Sequence, residues 1–107
     1  MPSQPKYELI FAPEVTHYLD AVHRKFHRLI QQTIEEQLSH TPERKTRNRK
    51  PLEQPAPFGA TWKLRFGPHN RFRVFYDIHS DSLAVQVLAI GIKERNLLLI
   101  GGEEFEL

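Results

Sequence analysis

The sequence predicts an α+β domain, and three observations carry that prediction. Residues 6–11, KYELIF, are strand formers in which Tyr7, Leu9 and Phe11 alternate with Lys6, Glu8 and Ile10. Apolar residues at Val15, Leu19, Val22, Phe26, Ile30, Thr33/Ile34 and Leu38 then recur at the spacing of one helix face. Three further runs, 61–66, 70–79 and 83–90, read as strands of an antiparallel sheet packed on the helices.

Each element has a local cause. Pro13 suits a first helical turn, where its missing N–H costs nothing. The helical pattern ends at Ser39, His40, Thr41 and Pro42, because a residue before proline resists the α region. A single helix over 13–38 would be about 39 Å long at ~1.5 Å per residue. A domain of this size has a radius of gyration near ~13 Å. The rod would overhang its own core, so a turn is expected near residues 23–26, giving an antiparallel helical pair. Residues 42–60 contain Pro42, Pro51, Pro55 and Pro57 and are expected to be irregular. The run LAVQVLAI is apolar on both faces except at Gln86, as in the middle of a sheet, with Gly91 ending it. Leu97 to Ile100 is too apolar for a free tail and should pack as a short strand or turn. The acidic ending with Glu103, Glu104 and Glu106 either folds against the protein's cations or is solvated.

A chain of 107 residues supports one domain, 1–107, with one modest core. It has no apolar run of about 18 residues, so no membrane span is expected. The N-terminus lacks the layout of a signal peptide and there is no cysteine, which together point to a reducing cytoplasm and exclude thiolate-metal sites and disulfides. The net charge of +2 conceals a separation: from Arg44 to Arg73 there are nine Lys or Arg and one acid, Glu53, while the remainder is acidic. A polyanion responds to such a local field whatever the total charge. The plain alternative is a solvated loop beside a charged strand face.

The strand pattern places these charges. Trp62, Leu64 and Phe66 must share a face with Phe72, Val74, Tyr76 and Ile78, so even residues oppose even ones. A three-residue loop of Gly67, Pro68 and His69 achieves this, pairing Phe66 with Asn70, Arg65 with Arg71 and Lys63 with Arg73. Four cations then stand on one face, about 5 Å apart between opposed Cβ atoms, an arrangement that destabilises a sheet unless an anion neutralises it. Arg44, Lys45, Arg47, Arg49 and Lys50 lie nearby in sequence and extend this cationic surface, which a polyanion would bind. Tyr76 and Trp62 point into the core by the same register. Phe75 falls on the basic face, where it can stack on a base or contact a protein partner. Asp77, the one acid there, pairs with Arg73 or Arg71.

The succession WKLR, RVFYDI and VLAIGIKER, preceded by RNRKPL and by a strand and two helices, resembles the RelE/ParE toxin superfamily from Tyr7 to about Asn96. That resemblance implies a RelE-like fold and the toxin of a bacterial type II toxin–antitoxin pair. RelE-like members cleave translated messenger RNA at the ribosome without metal or other cofactor, inhibiting translation. In that reaction a ribose 2′-hydroxyl attacks the adjacent phosphate to leave a cyclic phosphate. ParE-like members instead bind DNA gyrase, and a toxin-fold protein that binds RNA or antitoxin without catalysis is a third possibility. The implied partners are a cognate antitoxin, which covers the basic surface or the helices, and messenger RNA with the ribosome, or alternatively gyrase.

Residue by residue, Lys63 matches the second lysine of RelE's KxKLR stretch, while Thr61 stands where the first would be. Arg73 matches a phosphate-holding arginine. Lys93 falls at the position of a catalytic arginine, with Arg95 the neighbouring basic residue. Leu99 falls near the catalytic tyrosine and carries no acid–base chemistry. His69, in the hairpin turn, is the substitute candidate for proton transfer, since imidazole suits acid–base work near neutrality. His17, His23, His27 and His40 lack metal-ligand spacing and read as structural.

Overall fold

The computed structural model describes residues 6–106; Met1 to Pro5, read above for a leader, and Leu107 lie outside the described residues. The elements are β1 (Glu8–Phe11), α1 (Val15–Asp20), α2 (His27–Leu38), β2 (Arg49–Pro51), β3 (Trp62–Phe66), β4 (Phe72–His79), β5 (Ala84–Glu94), β6 (Leu97–Ile100) and β7 (Glu103–Phe105). The sheet is therefore seven-stranded, in the order β2-β3-β4-β5-β6-β7 with β1 also on β5. The expected three strands after the helices are present, and three short ones extend them. The pairings are antiparallel except that β1 runs parallel to β5.

The helix-face spacing is realised. Val15, Val22, Ile30, Ile34 and Leu38 are buried in one core with Leu64, Phe66, Phe72, Val74 and Tyr76. The break between helices spans residues 21–26, with a 3-10 turn at Arg24–Phe26. His27 braces it: its Nε2 lies 2.8 Å from both the Leu19 and Val22 carbonyls, where α1 ends.

β5 starts one residue later than the expected 83–90 and runs four residues further, to Glu94, so Gly91 lies inside the strand rather than ending it. A register shift between Phe75 and Tyr76 leaves Leu88 unpaired with β4. This bulge inverts the parity of β5, so Val85 and Val87 share the helix-side core with Ile90 and Ile92. The opposite face is also covered: Phe75, Ala89 and Ile100 are buried there against Ala56, Ala60 and the half-buried Phe58.

Two expectations are corrected. The stretch 42–60 is not wholly irregular, because Arg49–Pro51 forms edge strand β2 on β3; proline is tolerated at such an edge. The hairpin keeps its even-to-even parity but slips by two residues, pairing Phe66 with Phe72, Arg65 with Arg73 and Lys63 with Phe75. The loop is longer than three residues because Pro68–Asn70 makes a 3-10 turn with His69 and Asn70 both in the left-handed region. Gly67 precedes it at φ 84°, and a Cβ there would come within 2.4 Å of the Phe72 ring.

Tyr76 is fully buried, stacks on Trp62 at 6.0 Å and donates its hydroxyl to the Pro42 carbonyl at 2.9 Å. Tyr76→Ala should destabilise the protein by about 3–5 kcal/mol. Tyr76→Phe should cost about 1–3 kcal/mol through the carbonyl left unpaired. Denaturant unfolding of the two variants checks both values.

Candidate anion-binding site

The face of the sheet opposite the helices is divided between core and charge. In one row across the strands Lys50 opposes Lys63; in the next Arg65 opposes Arg73, and Arg73 opposes Gly91. Lys93 follows two residues along β5. These side chains converge: Arg47, Asn48, Lys50, Lys63, Arg65, Arg73 and Lys93 line one cavity of about 160 Å³. Among the described residues the ion pairs are Arg71 with Glu94 and His79 with Asp77, so no carboxylate neutralises the cluster within 4 Å.

The electrostatic consequence falls on Lys63. Burial first, then Arg73, Lys50, Lys93 and Arg65, hold its ammonium below the ordinary 10.5. Burial and then Arg65 lower Arg73 in the same way. Arg73 is positioned by its own backbone surroundings, donating from Nη1 to the carbonyls of Asn70 and Phe72. Arg65 donates from Nη2 to the Arg47 carbonyl at 3.3 Å, tying the loop before β2 to β3.

Other residues expected in the site lie elsewhere. Arg49 is 5% exposed and points to the helix side, donating to the carbonyls of Gln37 and Thr41; its position in β2, opposite core residue Leu64, dictates that face. Arg71 has left the strand for the hairpin turn, where it pairs with Glu94 at 3.1 Å and lies over the Phe26 and Phe72 rings. His69 is exposed at the turn and lines none of the cavities that Lys63 borders. Arg44 and Lys45 are exposed before β2, and Arg95 occupies the β5–β6 turn at φ 57°; none of the three lines the cavity. Phe75 is 2% exposed and packed edge-on against Phe58, so it offers no free ring. Asp77 accepts from the Thr61 hydroxyl at 2.5 Å and lies 3.7 Å from His79, rather than pairing with Arg73 or Arg71.

The sequence reading missed a second cavity of about 350 Å³, which shares Lys63, Arg73 and Lys93. Its far side comes from the last residues of the chain, including Leu98, Phe105 and Glu106. The signal was the pair Gly101 and Gly102, both at positive φ, which turns β7 back onto β6.

Because the folded protein holds the Lys63 proton less tightly than the unfolded chain does, stability rises with pH between the depressed value and 10.5. A bound anion favours the protonated form, so affinity for a phosphate ligand should fall as pH rises through the depressed value. Lys63→Arg, which stays charged, should remove that fall; calorimetric titration across pH checks it. Separately, Arg49→Ala should lower stability by about 1–3 kcal/mol, and Arg47→Ala, at an exposed position, should not; thermal unfolding of both decides.

Comparison with known proteins agrees with this architecture. A family model described as the ParE toxin of the type II toxin-antitoxin system, parDE, matches residues 9–97. Among solved structures, the toxin-antitoxin complex RelBE2 from Mycobacterium tuberculosis contains a chain of similar fold, with a TM-score of 0.68 and 20% identity over 90% of this chain and 99% of that one. A search of the curated proteins finds no significant match. The family match runs from within β1 to the first residue of β6 and so takes in both helices and all the strands that carry the cationic cluster. The chain belongs to the ParE toxin family of the RelE/ParE superfamily, the toxins of type II toxin–antitoxin systems.

Proposed function

We propose that this toxin is a metal-independent endoribonuclease that cleaves translated messenger RNA in the cytoplasm. The observation that carries the reading is the convergence of Lys63, Arg65, Arg73 and Lys93 on one cavity, with no carboxylate within 4 Å of them among the described residues. As an adjacent 2′-hydroxyl loses its proton and bonds to phosphorus, negative charge builds on the phosphoryl oxygens; the P–O5′ bond then breaks, leaving a 2′,3′-cyclic phosphate and a 5′-oxygen that takes up a proton. Fixed cations in a partly desolvated cavity stabilise that charge without reorganising. Arg73, held by two backbone carbonyls, suits the orienting role, and Lys63 and Lys93 flank it. The lowered Lys63 pKa makes proton transfer from this ammonium easier than from an ordinary lysine, which compensates for Thr61 and Leu99 at the positions expected to carry that chemistry. A cognate antitoxin with an acidic segment would silence the site by supplying the missing carboxylates.

The family model favours a second reading, in which the same chain is a DNA gyrase inhibitor and the cations bind protein or DNA rather than cleave RNA. Induced expression separates the two: RNA ends mapped within coding sequences, with intact DNA, support the first, whereas gyrase-dependent DNA breaks with intact RNA support the second. Arg73→Ala should abolish growth arrest while leaving the thermal unfolding temperature within a few degrees, since its side chain lies off the core. Cleavage by the purified protein on translating ribosomes should survive a chelator. Intact RNA under those conditions, at concentrations that arrest growth, would remove the nuclease reading.

A further inference from the structure

The two cavities that meet at Lys63, Arg73 and Lys93 differ in chemistry. The smaller is walled by cations and one amide, as a phosphate requires. The larger keeps those three cations along one side, but its other walls are apolar, chiefly Leu52, Phe75, Leu98 and Phe105, with Asn96, Glu104 and Glu106 as its remaining polar groups. A second phosphate has no use for apolar walls or for a carboxylate. A planar group with a polar edge does, and a nucleotide carries one directly beside its phosphate. Resting on the RNA reading above, we infer that the larger cavity is a subsite for one unstacked nucleobase, stacked against Phe105 and read at its edge by Asn96 and Glu106.

The geometry supplies what such a subsite needs. Leu98 and Phe105 are directly paired across β6 and β7, so both face the same side of the sheet. Phe105 is half-buried and packs edge-on to Phe58 at 6.2 Å, which is itself edge-on to Phe75 at 5.7 Å. That contact fixes the ring while part of it stays exposed. Asn96 sits in the two-residue turn between Glu94 and Leu97, and its amide offers both a donor and an acceptor to a base edge. Single-stranded RNA is recognised in this way, by stacking on an aromatic and hydrogen bonds to an exposed edge. Phe105 and Glu106 lie beyond the residues matched by the family model, whereas Lys63, Arg73, Lys93 and Asn96 lie within them.

The test titrates the full-length protein with two 2′-O-methyl trinucleotides, uncleavable and identical except that one lacks the central base. Fluorescence anisotropy should show the complete oligonucleotide binding about tenfold more tightly than the abasic one. Phe105→Leu keeps an apolar side chain for the hairpin but removes the aromatic face; it should shrink the difference to about threefold or less, with abasic binding unchanged. Asn96→Ala, in the exposed turn, should also reduce it and gives a readout if Phe105→Leu fails to fold. Lys63→Ala should weaken both oligonucleotides alike. Equal binding of the two by the unaltered protein would overturn the base subsite and leave the RNA reading standing, as would an acidic peptide that occupies the cavity in place of a base. Binding of neither would overturn both. A difference that persists in Phe105→Leu and Asn96→Ala would place base recognition elsewhere and overturn this assignment.

Discussion

The hydrogen-bonding capacity of β5 is the constraint from which the rest of the structure follows. One edge of this strand is taken by β4 along its length. The other edge is divided, with β1 on Ala84 to Val87 and β6 on Gly91 to Glu94. The middle of β5 is covered on both faces as well, by the helix-side core and by the layer around Phe75, and is accordingly apolar on both. Its bulge at Leu88 reconciles that covering with a helix layer on one side only, because it returns Ile90 and Ile92 to the face already occupied by Val85 and Val87. The same strand sets the functional face. Gly91 lies opposite Arg73, and Lys93 reaches the cavity from the next position on that side.

The second constraint is electrostatic. Opposed like charges weaken a sheet, and here two such pairs, Lys50 with Lys63 and Arg65 with Arg73, stand in adjacent rows. The fold bears them because the remainder of that face is a small apolar core around Phe75, Ala89 and Ile100. The wall of the cationic cluster is thus also the margin of a packed layer. This margin desolvates Lys63 and Arg73 and brings apolar side chains to the edge of the site.

Much of this was legible in the sequence where burial decides the outcome. The helix face, the core position of Tyr76 and the parity of the β3–β4 hairpin all follow from which residues must leave water. Register did not follow, because loop length depends on two consecutive left-handed residues, His69 and Asn70, that carry no glycine signal. That slip of two residues moved Arg71 from the basic face into the turn. β2 was hidden for another reason: three residues among prolines have little strand propensity, and pairing with β3 creates the strand. Once it exists, alternation sends Arg49 inward and Lys50 outward, a distinction no composition could reveal. Phe75 was assigned the right face, but the layer covering it comes from residues 56–60 and from β6, far along the chain, so the half-exposed aromatic proved to be Phe105.

The parallel contact of β1 with β5 has a bearing on how the protein is made. Glu8 must wait for Ala84, so this closure spans most of the polypeptide and is the entropically demanding step of assembly. During vectorial synthesis the local hairpin of β3 and β4 emerges well before its central neighbour is available. Until β5 and the β6–β7 hairpin have emerged, the nascent chain has neither a closed interior nor the second wall of the larger cavity. The topology therefore defers closure of the core until β5 has been made.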